Sequence, residues 1–254
     1  MVSQSIGAPH GFTTRLGGVS TGILASMNIG PHRGDSRENL LKNYEILGRA
    51  MGFRPEDTVL AHQTHTDIIC LADASYRGRG LFGPELPDCD GLITATPGLA
   101  LVVFSADCTP VLLWDKETGA VGAVHAGWRG TAQDIPGKAV KAMAEAFGTK
   151  PENLYAAVGP HVCKCCFETD ADVPEKMREA YGADAEAAIA RTGEKFHVDL
   201  TYLNKLALTR AGVKHIDSPE ICTVCDEELF WSHRRTGGNR GSQGAIIVCK
   251  EPMR

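Results

Sequence analysis

The chain has 254 residues, 43% of them hydrophobic, and a formal net charge of −5. That is long enough to bury a real core, and no Lys/Arg block offers a phosphate footprint, so nucleic acid is not an expected partner. The opening MVSQSIGAPHGFTTR lacks a charged and apolar leader pattern, and runs such as GLALVVF are too short to span a bilayer, so a cytoplasmic chain with no membrane partner is expected.

In chain order, HGFTTRLGGVSTG reads as a short strand running into a loop rich in Gly, Ser and Thr. GDSRENLLKNYEILGRAMG reads as a helix with Leu40, Tyr44, Leu47 and Met51 as its apolar stripe. Asp35 is its expected cap, Glu38 would complete a capping box, and Gly52 is the expected stop. TVLAH and DIICLA read as short strands joined by the polar corner QTHT. After a loop rich in Gly and Pro come GLIT, ALVVFSA, PVLLWD and GAVGAVHA, four strands in close succession, the last two joined by an ETG turn. TAQDIPGKAVKAMAEAFG reads as a helix that starts around Pro136. NLYAAVG reads as a strand, residues 170–185 as a helix, and DLTYLNKLALTRAG as a helix capped by Asp199. ELFWSHRR, a Gly-rich turn and the strand GAIIVC close the chain. Strands packed this densely favour antiparallel or mixed pairing over βαβ alternation, so the expected class is α+β, one domain over residues 1–254.

Chemistry concentrates at two strand ends. Cys108 follows the strand ALVVFSA, and His125 ends GAVGAVHA. Strand ends fix side-chain geometry, and His65 in AHQTHTDII is a third candidate for the same place. One Cys and two His can hold zinc with a position left open for water. The same residues also read as a Cys108–His125 nucleophile pair or as core. The spacing matches no zinc signature, so all three readings stand at this point. His62, three residues before His65, is expected to be structural or peripheral. Asp107, beside Cys108, is the carboxylate expected to orient a ligand histidine or carry a proton. Asp88 and Asp90 flank Cys89 and could also orient a ligand histidine, but for Asp90, before Gly91, capping backbone N–H groups in a turn is the expected role. Arg129 lies at a helix start, where free N–H groups and a guanidinium make an anion site; Arg15, Arg234, Arg235 and Arg240 are further basic candidates.

The nine cysteines are an odd number in a long chain, which argues against a disulfide framework. CKCC at 163–166 and CTVC at 222–225 could build a tetrathiolate, but buried free thiols are the expectation.

Taken together, HGFTTRLGGVS, HQTHTDII, DCDGLIT, SADCTPVLLWD, AVHAGWRGT, GPHVCKCCFE, DLTYLNKLALTRAGV and CTVCDEELFWSHRR resemble the YfiH-like family, also called the laccase-domain or multicopper polyphenol oxidoreductase family. The resemblance runs almost the full length. It implies a mixed α/β sandwich related to the catalytic domain of cytotoxic necrotizing factor. It also implies metal ligands at His65, Cys108 and His125, with zinc as the ion and copper associated with a polyphenol oxidase activity. The implied reactions are phosphorolysis of adenosine, inosine and methylthioadenosine, and deamination of adenosine. Purine nucleosides and phosphate are then the partners. Cys108, His125 and Asp107 are the residues expected to carry the chemistry, and Asn28, Arg15, Ser105, Arg129 and Arg234 the ones expected to contact substrate. A multicopper oxidase needs paired His-X-His ligands, and the sequence contains no such pair. A Cys–His hydrolase and a non-catalytic metal-binding protein are the remaining alternatives. The family pattern GP.I reads GPHV here, which places His161 near the Cys cluster and makes it the alternative proton carrier.

Overall fold

The computed structural model describes residues 1–250. Its elements in order are β1 (His10–Phe12), α1 (Arg37–Met51), β2 (Thr58–Leu60), β3 (Ile69–Leu71), β4 (Gly91–Thr94), β5 (Ala100–Ser105), β6 (Thr109–Asp115) and β7 (Val121–Ala126). Then follow α2 (Trp128–Ala132), α3 (Ile135–Phe147), β8 (Leu154–Val158), β9 (Glu168–Thr169), α4 (Asp172–Tyr181), β10 (Ile189–Thr192) and β11 (Lys195–Val198). The chain continues through α5 (Leu200–Arg210), β12 (His215–Asp217) and α6 (His233–Thr236) to β13 (Gln243–Val248).

Two mixed sheets carry the architecture, one in the order β1-β13-β5-β2 and one in the order β12-β8-β6-β7-β4-β3. Strand alternation sets which residues meet. On β5, Leu101 and Val103 join Phe12, Ala245 and Ile247 against Leu92, Leu112, Val121 and Ala123 of the other sheet. Ala100 and Val102 point the opposite way, with Ile246 and Val248, onto Leu40 and Tyr44 of α1. The outer face of the larger sheet (Ile93, Val111, Leu113, Val124) is covered by Ile135, Ala139, Val140 and Met143 of α3 and by Leu208 of α5. Both central sheets are therefore covered on both faces, which is why β5, β6 and β7 read as nearly unbroken apolar runs. The result is a helix–sheet–sheet–helix sandwich. A third sheet, β10-β11-β9, packs with α4 and α5 around a smaller core that includes Val162, Phe167 and Met177.

Three local expectations change. Ser36 caps α1 by accepting from the Asn39 N–H, while Asp35 turns inward to Ser20 and Asn28. Glu38 forms no capping box and pairs with Lys42 instead. In the segment 131–148 the regular helix does start around Pro136, which lies in the first turn of α3, and Asp134 at φ 57° divides it from the short α2. The helix expected over 170–185 keeps α-geometry only to Tyr181, and a tighter 3₁₀ segment continues to Ala188.

β5 and β6 are consecutive in the chain but lie in different sheets. The turn at 106–108 therefore crosses the gap between sheets, and it carries Cys108 to one end of the sandwich.

Candidate metal centre and active-site cavity

His65, Cys108 and His125 converge at that end, each offering a ligand atom within 4.8 Å of the others. Cys108 Sγ lies 3.8 Å from His65 Nε2. The two imidazole rings meet edge to face at 5.1 Å. Strand pairing explains the convergence. β4 and β7 are antiparallel with Gly91 opposite Val124, which sets Asp90 beside His125. The His125 backbone N–H donates to the Asp90 carbonyl at 2.7 Å.

Asp90 is fully buried and organises the site. His125 donates from Nδ1 to Asp90 Oδ1 at 2.6 Å, which fixes the tautomer and leaves Nε2 for an ion. The same carboxylate accepts from the backbone N–H groups of Thr64, His65 and Thr66 and from the Thr66 hydroxyl. One residue thus holds two of the three candidate ligands. Burial opposes its ionisation, but the His125 hydrogen bond and charge, with Thr66, outweigh that and hold its carboxyl below the usual carboxylate range.

Backbone strain is concentrated here. His65 has φ 64° and Asp107 has φ 93°, conformations uncommon for residues with a Cβ. Gly127, which caps α2, is required by close approach: a Cβ there would lie 2.9 Å from His65 Cδ2 and 3.2 Å from Cys108 Sγ. Burial works against the charged forms of Cys108 and His125. Their mutual attraction, aided by Asp90 and His65, overcomes it, bringing the thiol down to about 6 and the imidazole up to about 9. The thiolate is the form that binds a metal or attacks a substrate. One sulfur and two imidazole nitrogens suit a borderline-soft ion, and three ligands leave a tetrahedral ion one position free.

The three ligands open onto a cavity of about 310 Å³. Ser105 lines it, with its hydroxyl donating to the Cys108 carbonyl at 2.5 Å. Phe104, Gln63, His62, His32 and Glu85 line it as well, and so do Arg33, Arg240 and Ser242. His62 is thus part of the cavity wall, contrary to expectation, and it pairs with Glu85 and Asp88. Gln63 locks the corner to β5 by exchanging two hydrogen bonds with the Phe104 backbone. Arg33 and Arg240 both reach Ser242 Oγ at 3.1 Å. Burial holds both guanidinium groups below their ordinary range, and Arg240, beside Arg33, comes down to about 10. The Nε of Arg240 is buried with no hydrogen-bond partner among the described residues.

Other expected residues lie elsewhere. The Asp107 carboxylate faces away from the cavity and accepts from Thr223 Oγ1, Ser232 Oγ and the Arg234 N–H at 2.7, 3.1 and 2.6 Å. Its oxygens are already taken by that loop, and the orienting of a ligand histidine falls to Asp90. Arg129 is exposed and stacks on Trp128. Arg234 donates to the Glu168 carbonyl. Arg15 packs over Trp231 and borders a separate depression. Asn28 is fully buried and joins Gly30, Asp35 and Ser242, so it shapes the cavity from behind. His161 is buried, with both ring nitrogens engaged by Gly159 O and Thr201 Oγ1. Arg33, His32 and Glu85 escape the sequence reading, and the orienting role is subordinated there to a turn role for Asp90. The pairing of β4 with β7 is what makes it the orienting carboxylate.

A model of the family described as multi-copper polyphenol oxidoreductase laccase matches residues 9–250. A purine nucleoside phosphorylase, YlmD, of Geobacillus stearothermophilus is 37% identical over 250 residues, covering 96% of this chain and 91% of the relative. The crystal structure of YlmD from that organism superposes with a TM-score of 0.92 over 97% of this chain and 93% of that one, at 36% identity. An adenosine deaminase, RL5, from an unknown prokaryotic organism is 31% identical over 246 residues, 94% of this chain and 93% of the relative.

Proposed function

The chain belongs to the multi-copper polyphenol oxidoreductase laccase family, and on that premise we propose that it is a zinc-dependent purine nucleoside enzyme. It cleaves adenosine, inosine or methylthioadenosine with phosphate, and it deaminates adenosine at the same site. The observation that carries this reading is one cavity lined by His65, Cys108 and His125 and by two arginines, the exposed Arg33 and the half-buried Arg240.

His65, Cys108 and His125 hold the ion, and Asp90 keeps His125 in the binding tautomer. Zinc, when bound, supplies Lewis acidity and makes water nucleophilic near neutral pH. Arg33 and Arg240 receive phosphate, and Arg240 Nε is a donor with no partner among the described residues. This replaces Arg129, Arg15 and Arg234 as the anion contacts, while Ser105 stays at the cavity wall. Phe104 offers an apolar face to the base. His62, paired with two carboxylates, moves the proton. In phosphorolysis a phosphate oxygen bonds to C1′ as the C1′–N9 bond breaks, and the purine keeps that electron pair and takes up a proton. In deamination a water oxygen bonds to C6, the C6–N bond breaks, and ammonia leaves carrying a proton from the water.

The test is product identification from adenosine with and without phosphate. Adenine plus ribose 1-phosphate is expected with phosphate, and inosine without it. His65→Ala loses both reactions. Arg240→Ala loses phosphorolysis by on the order of a hundredfold, the scale of one lost transition-state donor, and keeps deamination. Cys108 Sγ beside a His125 that Asp90 holds through Nδ1 is an arrangement that also suits a Cys–His hydrolase. A metal-free chain whose activity is abolished by thiol alkylation, with no turnover of the three nucleosides, would overturn the zinc reading in its favour.

A further inference from the structure

The cysteines at 163–166 and 222–225 do not become scattered core thiols. Cys165, Cys166, Cys222 and Cys225 bring their sulfurs within 4.8 Å of one another. Cys166–Cys225 is 3.4 Å, Cys165–Cys166 3.6 Å, Cys165–Cys225 3.8 Å and Cys165–Cys222 3.9 Å. A disulfide needs about 2.05 Å. Four thiolates at about 2.3 Å from one zinc ion sit at the corners of a tetrahedron with edges of about 3.8 Å. The observed separations have the second size, not the first.

The backbone is shaped for the same purpose. Each pair sits on its own tight turn, closed by Cys166 N–H and Phe167 N–H onto the Cys163 carbonyl and by Asp226 N–H onto the Cys222 carbonyl. A parallel bridge between His161 and Cys222 sets the two turns side by side. The Cys163 N–H donates to Cys222 Sγ at 3.4 Å, and the N–H groups of Val224 and Cys225 point at the same sulfur. Such donors offset the negative charge of a thiolate and orient it. Arg235 adds a cation to the second turn, donating to the carbonyls of Thr223 and Val224 at 2.9 Å each. Cys163 stands outside the cluster, its thiol turned to the His161 carbonyl.

We propose that Cys165, Cys166, Cys222 and Cys225 form a second metal site, a closed tetrathiolate holding one zinc ion in a structural role. Four protein sulfurs leave no position for water or substrate, which separates this site from the one at the cavity. Binding releases the thiol protons to solvent. Cys165 and Cys225 are exposed, so the ion enters from the surface. Its effect reaches inward through Thr223, which lies between Cys222 and Cys225 and donates to Asp107, the neighbour of Cys108. The second ion braces the turn that holds the crossover loop of the first site.

The test is zinc content by plasma mass spectrometry on full chain purified without chelator and dialysed against metal-free buffer. Two zinc ions per chain are expected, falling to one in His65→Ala/His125→Ala and to one in Cys166→Ser/Cys225→Ser. Wild-type protein gives an independent readout that needs no variant to fold. In native protein the four cysteines resist iodoacetamide until a strong chelator is added, and peptide mapping locates the newly labelled sites. After titration with excess zinc, a single equivalent that is lost in Cys166→Ser/Cys225→Ser and retained in His65→Ala/His125→Ala counts against the cavity site instead, whereas one retained in Cys166→Ser/Cys225→Ser overturns the proposal. So does rapid native labelling of all four thiols, disulfides among them, or iron in place of zinc.

Discussion

The two cysteine-bearing clusters solve different problems with overlapping ligands. His65, Cys108 and His125 stand on strand ends and a corner of the main sandwich, and they open on a cavity. Cys165, Cys166, Cys222 and Cys225 stand on two turns near the surface and face only one another. Ligand count separates their roles, since three ligands leave an ion reactive and four close it. Support separates them too. The first site rests on Asp90, a buried carboxylate reaching two ligand segments, and it tolerates backbone strain at His65. The second rests on main-chain N–H donors, which any residue supplies.

If Asp90 is the keystone of the open site, Asp90→Asn is the way to break it alone. The amide keeps the volume but loses the charge that His125 Nδ1 and the Thr64–Thr66 N–H groups rely on. Loss of such a partner typically costs about 10–100-fold in metal affinity or activity. We expect one zinc equivalent to weaken by that factor in competition with a chelator, with the tetrathiolate equivalent unmoved. Equal weakening of both would mean that the two sites are one cooperative unit.

Gly127→Ala sharpens the comparison by geometry instead of charge. The new methyl group meets His65 Cδ2 at 2.9 Å and Cys108 Sγ at 3.2 Å, and His65, on an exposed corner, is the neighbour that can give way. A shift well under 1 Å is enough to cost on the order of tenfold in kcat, given that 1 Å can cost about a hundredfold. The nearest atoms to the new methyl group all belong to His65 and Cys108, so zinc retention at the second site should be unchanged. A wild-type kcat for this variant would show that the His65 position is not critical.

The same contrast shows what the sequence could reveal. The sandwich strands were legible because faces buried on both sides leave unbroken apolar runs, as in ALVVFS and TPVLLWD. His65, Cys108 and His125 were legible as residue types at strand ends. Asp90 was legible first as a turn former and only second as an orienting carboxylate, because that role depends on the pairing of β4 with β7, a contact distant in sequence. Arg33 and Arg240 were interchangeable with other surface arginines until Ser242 brought them together. The Cys cluster was underestimated because CKCC and CTVC acquire their geometry from the bridge between His161 and Cys222, which no local spacing encodes.

Asp107 is the point where the two regions touch, and its variant should give the smallest effect. A proton carrier in the reaction would contribute about 10²–10⁴-fold. The structure instead engages both its oxygens with Thr223, Ser232 and the Arg234 N–H, all on the side of the tetrathiolate turn. Asparagine can occupy the positive-φ conformation at this position and retains one acceptor. Asp107→Asn should therefore leave the pH profile of kcat in place and reduce kcat by less than about tenfold. The lost charge-assisted hydrogen bonds should appear as a stability loss of about 1–3 kcal/mol in urea unfolding. Thr223→Val removes the partner of the same hydrogen bond. If the bond is the link between the regions, the double variant should cost less than the sum of the two single ones. Additive costs would show that the crossover loop stands without help from the cysteine turn, and a kcat loss in the hundreds would return Asp107 to the chemistry.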